Sequence, residues 1–318
     1  MTVVPPSPQQ RPGEFINPAA LMAMRSLELR ARAVMEGFMM GLHRSPWHGF
    51  SAEFTEYRQY SPGDDPRHLD WKVFARSDRF FIRKFEDETN LRCHMAVDQS
   101  HSMDYGTLGW TKATYAATLA ATLGLFLHKQ GDATGLLSFD DRIREWIPAK
   151  HRPGHLRRIM LALEKPAGGG STNLVAPLQR LAEMVRKRGL MILISDFLAP
   201  IEQLEHCFSQ LGACGHEVTI FQVLDPAEVK FDFTKEIVFE DAETGRTLFI
   251  DPAAARQSYL EKFNAHDQAL RAICMKLGVG FQRVLTSDPL EMALSGFLRE
   301  RARRGRPVRR AIQPGGRA

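Results

Sequence analysis

The stretch MAVDQSHSM, residues 95–103, ends an apolar run with one acid and two hydroxyl side chains at alternate positions. We predict a buried strand over residues 91–98 that ends at Asp98, because the run is short, apolar and bounded by polar residues. Beyond a strand end the chain is free to fold back, so this spacing can turn Asp98, Ser100 and Ser102 toward one point. The stretch therefore predicts a cluster of oxygen atoms at the carboxyl end of a strand.

Outward from this stretch, short β-rich apolar runs alternate with helical segments. Further strands are predicted at 133–139, 190–195, 216–223 and 279–284. Helices are predicted at 18–36, 111–129, 154–164, 174–187, 201–213, 253–276 and 288–303. Two β-like runs, 236–241 and 246–250, predict a hairpin before the long helix. This alternation is typical of an α/β fold with a mostly parallel central sheet flanked by helices.

Two more junctions that precede helices supply oxygen atoms. Thr172 follows the glycine-rich stretch AGGGS, and Asp196 follows the predicted strand at 190–195. Because ligands gather outside the carboxyl ends of parallel strands, we expect both side chains to lie near Asp98. A set made only of oxygen atoms suits a hard cation, so we predict that Mg²⁺, or Mn²⁺ or Ca²⁺, binds here. The plainer interpretation of Thr172 and Asp196 is that each caps the helix that follows it.

The composition is that of a soluble globular protein of 318 residues, with 44% apolar and 25% charged residues. No run approaches the roughly 18 consecutive apolar residues of a membrane span. The first 17 residues are rich in proline and lack the apolar core of a signal peptide, so we predict a disordered leader and a cytoplasmic location. Four cysteines without a CxxC pair fit a reducing compartment and disfavour a zinc site.

The formal net charge of +5 is concentrated at one end of the chain. Residues 299–318 contain eight arginines and one glutamate, which gives +7 and leaves the other residues at 5 − 7 = −2. We predict that this arginine-rich tail is disordered. RNA, an anionic lipid surface or an acidic protein could bind such a tail, but we do not expect nucleic acid to be the main partner.

Residues 18–90 differ in character from the α/β part that follows them. Within them, EFTEYRQYSPGDDPRHLDWKVFARSDRFFIRKFEDE, residues 53–88, alternates positive with negative side chains and contains a turn at Pro62-Gly63. Three interpretations stay open: an ion-pair network that closes the turn, a partner-binding surface and an aspartate metal site. The candidate partner-binding residues are Arg58, Asp64, Asp65, Arg67, Asp70, Trp71, Lys72 and Arg76.

These motifs resemble known families at specific positions. The D-x-S-x-S set at Asp98, with Thr172 and Asp196, resembles the metal-ion-dependent adhesion site of von Willebrand factor A domains at all five ligand positions. The string GDD-x-R-x-x-D-W-K-x-x-A-R at residues 63–76 resembles the signature of the DUF58 family, in which it precedes a von Willebrand A-like domain. Together the resemblance extends from about residue 37 to residue 290.

The resemblance implies a Rossmann-type, von Willebrand A-like domain over residues 91–298, preceded by a DUF58 signature region over residues 18–90. DUF58 proteins are typically encoded near MoxR-type AAA+ ATPases and are thought to act with them as adaptors. The expected partners are therefore a MoxR-type ATPase and an acidic side chain of a protein ligand, which completes the coordination of the metal. Some relatives carry N-terminal transmembrane helices, and none is predicted in this sequence. The implied metal ligands are Asp98, Ser100, Ser102, Thr172 and Asp196.

Catalytic functions fit the same residues less well. A phosphohydrolase of the haloacid dehalogenase type also uses a strand-end aspartate with Mg²⁺, but it needs a second acid where Ser100 stands. The stretch GGGST lacks the lysine of a P-loop. Ser100, His101 and Ser102 are too close in sequence to form a triad, and no G-x-S-x-G elbow is present. We therefore predict a non-catalytic binding protein, with the phosphohydrolase and a tail-mediated function as alternatives.

Overall fold

The computed structural model describes residues 15–42, 57–59, 81–83, 91–166, 174–232, 237–240, 247–250 and 252–304 of the chain. The chain divides into two compact units, residues 1–43 together with 91–318, and residues 44–90. In the second unit the described residues form two short antiparallel strands, β1 (Tyr57–Gln59) and β2 (Phe81–Arg83). The elements that follow belong to the first unit.

A central sheet of six strands organises the described part of the first unit. The strands of this unit are β3 (Arg92–Asp98), β4 (Ala133–Phe139), β5 (Ile143–Lys150), β6 (Leu190–Ser195), β7 (Glu217–Leu224), the separate hairpin of β8 (Ile237–Glu240) and β9 (Thr247–Ile250), and β10 (Gly280–Leu285). The sheet has the order β10-β7-β6-β3-β4-β5, and every neighbouring pair is parallel except β4 and β5. Strand order reverses between β3 and β6, which is the switch point where doubly wound sheets bind ligands.

The strands β3 and β6 form the middle of the sheet because they are apolar on both faces. Every residue of β6 is buried, and on β3 only Arg92 is exposed. Successive side chains of a strand point to opposite faces. Met95 and Val97 accordingly lie in one apolar core, and Ala96 lies in a second core on the other face. Continuous apolar strands of this kind are typical of parallel sheets that helices cover on both sides.

Helices form the two outer layers. Their bounds are α1 (Pro18–Met22), α2 (Leu27–Leu42), α3 (Lys112–Lys129), α4 (His155–Leu163), α5 (Val175–Met184), α6 (Ile201–Ala213), α7 (Pro226–Lys230), α8 (Pro252–Leu277) and α9 (Leu290–Arg304). Residues of α2, α3, α4 and α9 share the core of Met95, and residues of α5, α6 and α8 share the core of Ala96. No helix in the described part of the chain combines the length and the hydropathy that crossing a membrane requires.

The helix α3 is buried along most of its length, from Lys112 to Leu127. Its sequence, KATYAATLAATLGLFLHK, has no charged residue between Lys112 and His128, as expected of a helix buried on most sides. The helix α2 packs on it through an apolar stripe, and Phe38 meets Phe126 edge to face at a centroid distance of 6.3 Å. This packing places α1 and α2 in the same compact unit as residues 91–318, whereas the sequence grouped them with residues 44–90.

The predicted α/β architecture with a mostly parallel central sheet flanked by helices is confirmed. The strands predicted at 133–139 and 190–195 and the helix at 201–213 have the predicted bounds. The helix predicted over 18–36 is instead two helices, because the Ser26 hydroxyl accepts a hydrogen bond from the Leu29 amide and starts a new helix.

The antiparallel strand β5 was not predicted. Its sequence, IREWIPAK, mixes charged residues with Pro148 and resembles a loop. An edge strand tolerates proline because one of its sides needs no hydrogen bonds to a neighbour. At the other end of the chain, α9 continues to Arg304 and includes the first residues of the predicted tail. Residues 305–318 lie outside the described residues, and the other predicted domain limits stay predictions.

Candidate metal centre

The fold brings the two predicted aspartate ligands together at the switch point of the sheet. Asp98 is the last residue of β3, and Asp196 directly follows the neighbouring strand β6. Both residues are fully buried. Two carboxylates that lie 98 positions apart in the numbering thus meet because β3 and β6 are parallel and end at the same edge.

The Asp98 carboxylate is held by hydrogen bonds to both of its oxygens. Its Oδ1 accepts a hydrogen bond of 2.8 Å from the backbone N–H of Ser100. Its Oδ2 accepts one of 2.6 Å from the hydroxyl of Ser195, the last residue of β6. The Oδ1 contact is a tight turn, in which the side chain folds the backbone back over the strand end. This turn is the local structure that the D-x-S-x-S spacing predicted.

The two serines complete a cluster of oxygen atoms. Ser100 is fully buried, and its Oγ lies 3.1 Å from the Oγ of Ser102. Ser102 stands on a short 3₁₀ helix, His101–Asp104, and hydrogen-bonds to the Asp196 carboxylate. Asp98, Ser100, Ser102 and Asp196 therefore form one connected group.

The charges of this group are unevenly balanced. Burial, and then the negative charge of Asp196, raise the pKa of Asp98 to about 6, although hydrogen bonds from Ser195 and Ser100 oppose this shift. Burial also disfavours ionisation of Asp196, but the Lys112 ammonium and the hydrogen bonds of Lys112 and Ser102 outweigh it and hold the pKa of Asp196 below its ordinary range. The two carboxylates therefore repel each other when both are ionised in a space that excludes water, and a bound cation would stabilise the doubly ionised form.

Lys112 is a member of the site that the sequence analysis missed. Its Nζ lies 2.9 Å from Asp196 Oδ2 and 2.6 Å from Glu228 Oε1, and the side chains of Lys112 and Asp196 are fully buried. Burial alone lowers the pKa of a lysine, but these two carboxylates outweigh burial and keep the pKa of Lys112 above its ordinary value. The available signal was a lone charged residue at the start of an otherwise apolar helix.

A third strand-end acid, Asp225, holds the loop that leads to Lys112. Asp225 follows β7 and accepts hydrogen bonds from the Thr107 amide, at 2.9 Å, and from the Thr107 hydroxyl, at 2.6 Å. It also caps α7, where the Asp225 amide donates a hydrogen bond of 2.8 Å to the Glu228 carboxylate. The position of Glu228 beside Lys112 is therefore fixed by the cap of α7.

The donor set fits a small divalent ion. It consists of two carboxylates and two hydroxyls, and oxygen ligands of this kind are those that Mg²⁺ prefers. No group of three or more histidine, cysteine, aspartate or glutamate residues capable of holding a metal occurs within the described residues. The residues that would hold the ion are Asp98, Ser100, Ser102 and Asp196. When both aspartates are ionised their summed charge of −2 exceeds the single positive charge of Lys112.

A basic cleft adjoins this group at Gln99, the residue between Asp98 and Ser100. The cleft has a volume of about 450 Å³. Three of its lining side chains, Arg142, Arg144 and Lys165, are cationic, and Glu145 is the one acid among the described residues that line it. An acidic group that enters this cleft meets favourable charge.

Several predicted site residues are not among those that the structure describes. Thr172 lies in the gap between residues 166 and 174. Arg58 is placed only as a backbone position in β1, opposite Ile82. The remaining candidate partner-binding residues, Asp64, Asp65, Arg67, Asp70, Trp71, Lys72 and Arg76, lie outside the described ranges. Their assignment stays a prediction.

Comparison with solved structures gives distant similarities. An aerotolerance-related membrane protein from Bacteroides fragilis aligns with a TM-score of 0.46 and 15% identity, over 67% of this chain and 99% of that one. The SpRpn10 VWA domain aligns with a TM-score of 0.36 and 14% identity, over 64% of this chain and 94% of that one.

Comparison of sequences gives a stronger match. Uncharacterized protein Rv1480 of Mycobacterium tuberculosis is 33% identical over 265 residues, which cover 81% of this chain and 82% of that protein. A family model described as "Protein of unknown function DUF58" matches residues 56–269, which is more than half of the chain. The chain therefore belongs to the DUF58 family.

Proposed function

We propose that this protein is a non-catalytic, divalent-metal-dependent binding module that acts as an adaptor for a MoxR-type AAA+ ATPase. The observation that carries the proposal is the buried group of Asp98, Ser100, Ser102 and Asp196 at the switch point of the sheet. A metal held there by two carboxylates and hydroxyls keeps a coordination position for an acidic side chain of a partner. The metal is then a bridge between two proteins, and no bond is broken.

The basic cleft supports an acidic partner. Arg142, Arg144 and Lys165 line the cleft beside Gln99, so we expect a carboxylate of the partner that enters the cleft to gain favourable charge next to the metal site. Part of this charge is already paired, since Arg144 contacts Asp140 at 2.5 Å and Lys165 contacts Glu145 at 2.6 Å. We therefore expect the cleft to steer an acidic segment, and the metal to provide the specific contact.

The choice of a MoxR-type ATPase as the partner rests on the family resemblance. Assembly or maturation of other proteins is the process in which such an adaptor acts. The proposal also places this action in the cytoplasm, since the four cysteines are all free, as expected in a reducing compartment.

Phosphoryl transfer is the alternative that one observation favours, because a lysine beside a strand-end aspartate, here Lys112 beside Asp196, also occurs in phosphohydrolases. The two carboxylates on Lys112 already neutralise its ammonium, and its side chain is fully buried. It is thus poorly placed to bind a phosphate group. A phosphatase assay with a generic ester tests this alternative, and activity that Asp98→Asn abolishes would favour it over binding.

The proposed function is tested by capturing the ATPase with the full chain in Mg²⁺ and in EDTA. We expect capture in Mg²⁺ only, and we expect Thr172→Ala to weaken capture more than it weakens metal binding. The matched control is Thr134→Ala. Thr134 is a buried threonine near the start of β4, at the end of the strands opposite to the candidate metal site. Capture that persists in EDTA and is equal for both variants would place the interface elsewhere, and residues 53–88 would be tested next.

A further inference from the structure

Lys112 places a fixed positive charge against one of the candidate metal ligands. Its ammonium donates to Asp196 Oδ2 at 2.9 Å and to Glu228 Oε1 at 2.6 Å, and the side chain of Glu228 is only 16% exposed. An unpaired ammonium in such a place would be strongly disfavoured, but here it is paired twice. The Asp196 carboxylate therefore serves an internal cation as well as the candidate metal site.

The hydrogen bonds of Asp196 define this conflict. Its Oδ2 accepts from Lys112, its Oδ1 accepts from the Leu198 amide at 3.3 Å, and Ser102 also bonds to the carboxylate. A divalent ion that draws on Asp196 must share the carboxylate with the ammonium and must bind close to a like charge. Like charges at such short range repel strongly where water is excluded.

We propose that Lys112 is a built-in cation that competes with the divalent ion for Asp196 and thereby sets the metal affinity of the site. This inference rests on the proposed function. Glu228 is the second half of the device, because it holds the ammonium in place and offers it a carboxylate when a metal draws on Asp196. Because the cap of α7 fixes Glu228, the ammonium cannot follow a metal-bound Asp196 without leaving a buried carboxylate.

The test is isothermal titration of the full chain with MgCl₂ and with MnCl₂. We expect Lys112→Met to bind each ion at least tenfold more tightly than the wild type, because the substitution removes the competing charge and keeps the apolar length of the side chain. We expect Glu228→Gln to bind each ion at least threefold more weakly, since Asp196 then becomes the sole charged partner of Lys112 among the described residues. If Lys112 and Glu228 had a purely structural role, both substitutions would weaken metal binding.

Lys112→Met leaves the buried carboxylate of Asp196 and the partly buried carboxylate of Glu228 without their cation, so a second variant guards against loss of the fold. The double variant Lys112→Met/Glu228→Gln removes one charge of each sign, and we expect it to bind Mg²⁺ at least fivefold more tightly than the wild type. Lys129→Met is the matched control, since Lys129 is an exposed lysine at the other end of the same helix. The Mg²⁺ affinity of this variant should equal that of the wild type.

The outcomes separate this inference from the proposed function. If the wild type binds the ion and neither Lys112→Met nor the double variant binds it more tightly, the role of Lys112 is overturned. The proposed metal site is then unaffected. Binding that Asp196→Asn does not weaken overturns both, because the ion then lies elsewhere. Tighter binding by Lys112→Met and the double variant, with weaker binding by Glu228→Gln, supports the inference.

Discussion

The hydroxyl of Ser195 donates a hydrogen bond of 2.6 Å to Oδ2 of Asp98, and both residues are buried at the ends of neighbouring parallel strands. The same Ser195 Oγ accepts a hydrogen bond of 3.1 Å from the Phe197 amide. Ser195 therefore fixes the orientation of the Asp98 carboxylate and the turn that carries Asp196. It is a positioning residue of the candidate metal centre that the adhesion-site pattern does not include.

Removal of this hydroxyl is expected to destabilise the protein. Ser195→Ala leaves a buried carboxylate oxygen and a backbone amide without this partner, which costs about 1–3 kcal/mol in the free energy of unfolding. Urea denaturation of the metal-free protein measures the change. Ser138→Ala is the control, because Ser138 is similarly buried on β4, and its loss should be smaller. An equal effect of both substitutions would remove the special role of Ser195.

Metal binding is expected to depend on charge more than on the number of oxygen ligands. Asp98→Asn and Asp196→Asn each remove a negative charge beside the ion, so each should lower Mg²⁺ affinity at least tenfold, about 1.4 kcal/mol or more. Ser102→Ala removes a neutral ligand and should lower it less. Isothermal titration measures all three variants.

The control for the aspartate substitutions is Asp132→Asn. Asp132 accepts a hydrogen bond from the Leu91 amide, just before β3, and so lies at the end of the strands opposite to the candidate metal site. Its substitution should leave metal affinity unchanged. If Asp132→Asn weakened Mg²⁺ binding as much as Asp196→Asn, a general loss of negative charge would explain both results.

Acid is expected to destabilise the fold through His94. This side chain stacks on Trp146 at a centroid distance of 5.4 Å, and burial, followed by the charges of His216 and Arg92, lowers the pKa of His94 to about 4. In the unfolded chain His94 binds a proton near pH 6.5. The stability that neutral His94 contributes is therefore fully present above that pH and is lost as the pH falls toward 4. The loss attributable to His94 is about 3 kcal/mol at most.

Urea denaturation at pH 7 and at pH 4.5 measures this effect. His94→Phe keeps an aromatic ring against Trp146 and removes the group that binds the proton. The difference in stability between the two pH values should therefore shrink. His206→Gln, at an exposed position on α6, should leave the difference as in the wild type. An unchanged pH dependence in His94→Phe would assign acid sensitivity to other groups.

The arginine-rich end of the chain is expected to be dispensable for stability. The helix α9 ends at Arg304, so a truncation that removes residues 305–318 should keep the melting temperature of the full chain. A truncation that begins at Phe297 is the contrasting variant, because Phe297 and Leu298 are buried in the core and Phe297 packs on Phe221. It should lower the melting temperature by many degrees. A comparable fall in the shorter truncation would contradict the prediction.

The amino-acid sequence by itself determined the α/β fold and most of the candidate site. Apolar runs such as LMILIS become buried strands, and the segments between them have the length and period of helices. Parallel strands joined by helices must end at one edge of the sheet, so Asp98, after β3, and Asp196, after β6, could be placed near each other. Because the turn at Asp98 is local, its geometry too follows from the spacing of Ser100 and Ser102.

The tertiary structure alone decided which side chains complete and oppose this site. Lys112 bonds to Asp196 across 84 positions and to Glu228 across 116, and Ser195 bonds to Asp98 across 97. These distances in sequence carry no periodic or local pattern, because each contact depends on the order of the strands and on the way α3 and α7 pack at their ends. The edge strand β5 is decided in the same way, since only its pairing with β4 makes IREWIPAK a strand. Local patterns thus fixed the carboxylates, while long-range packing fixed the cation that neutralises one of them.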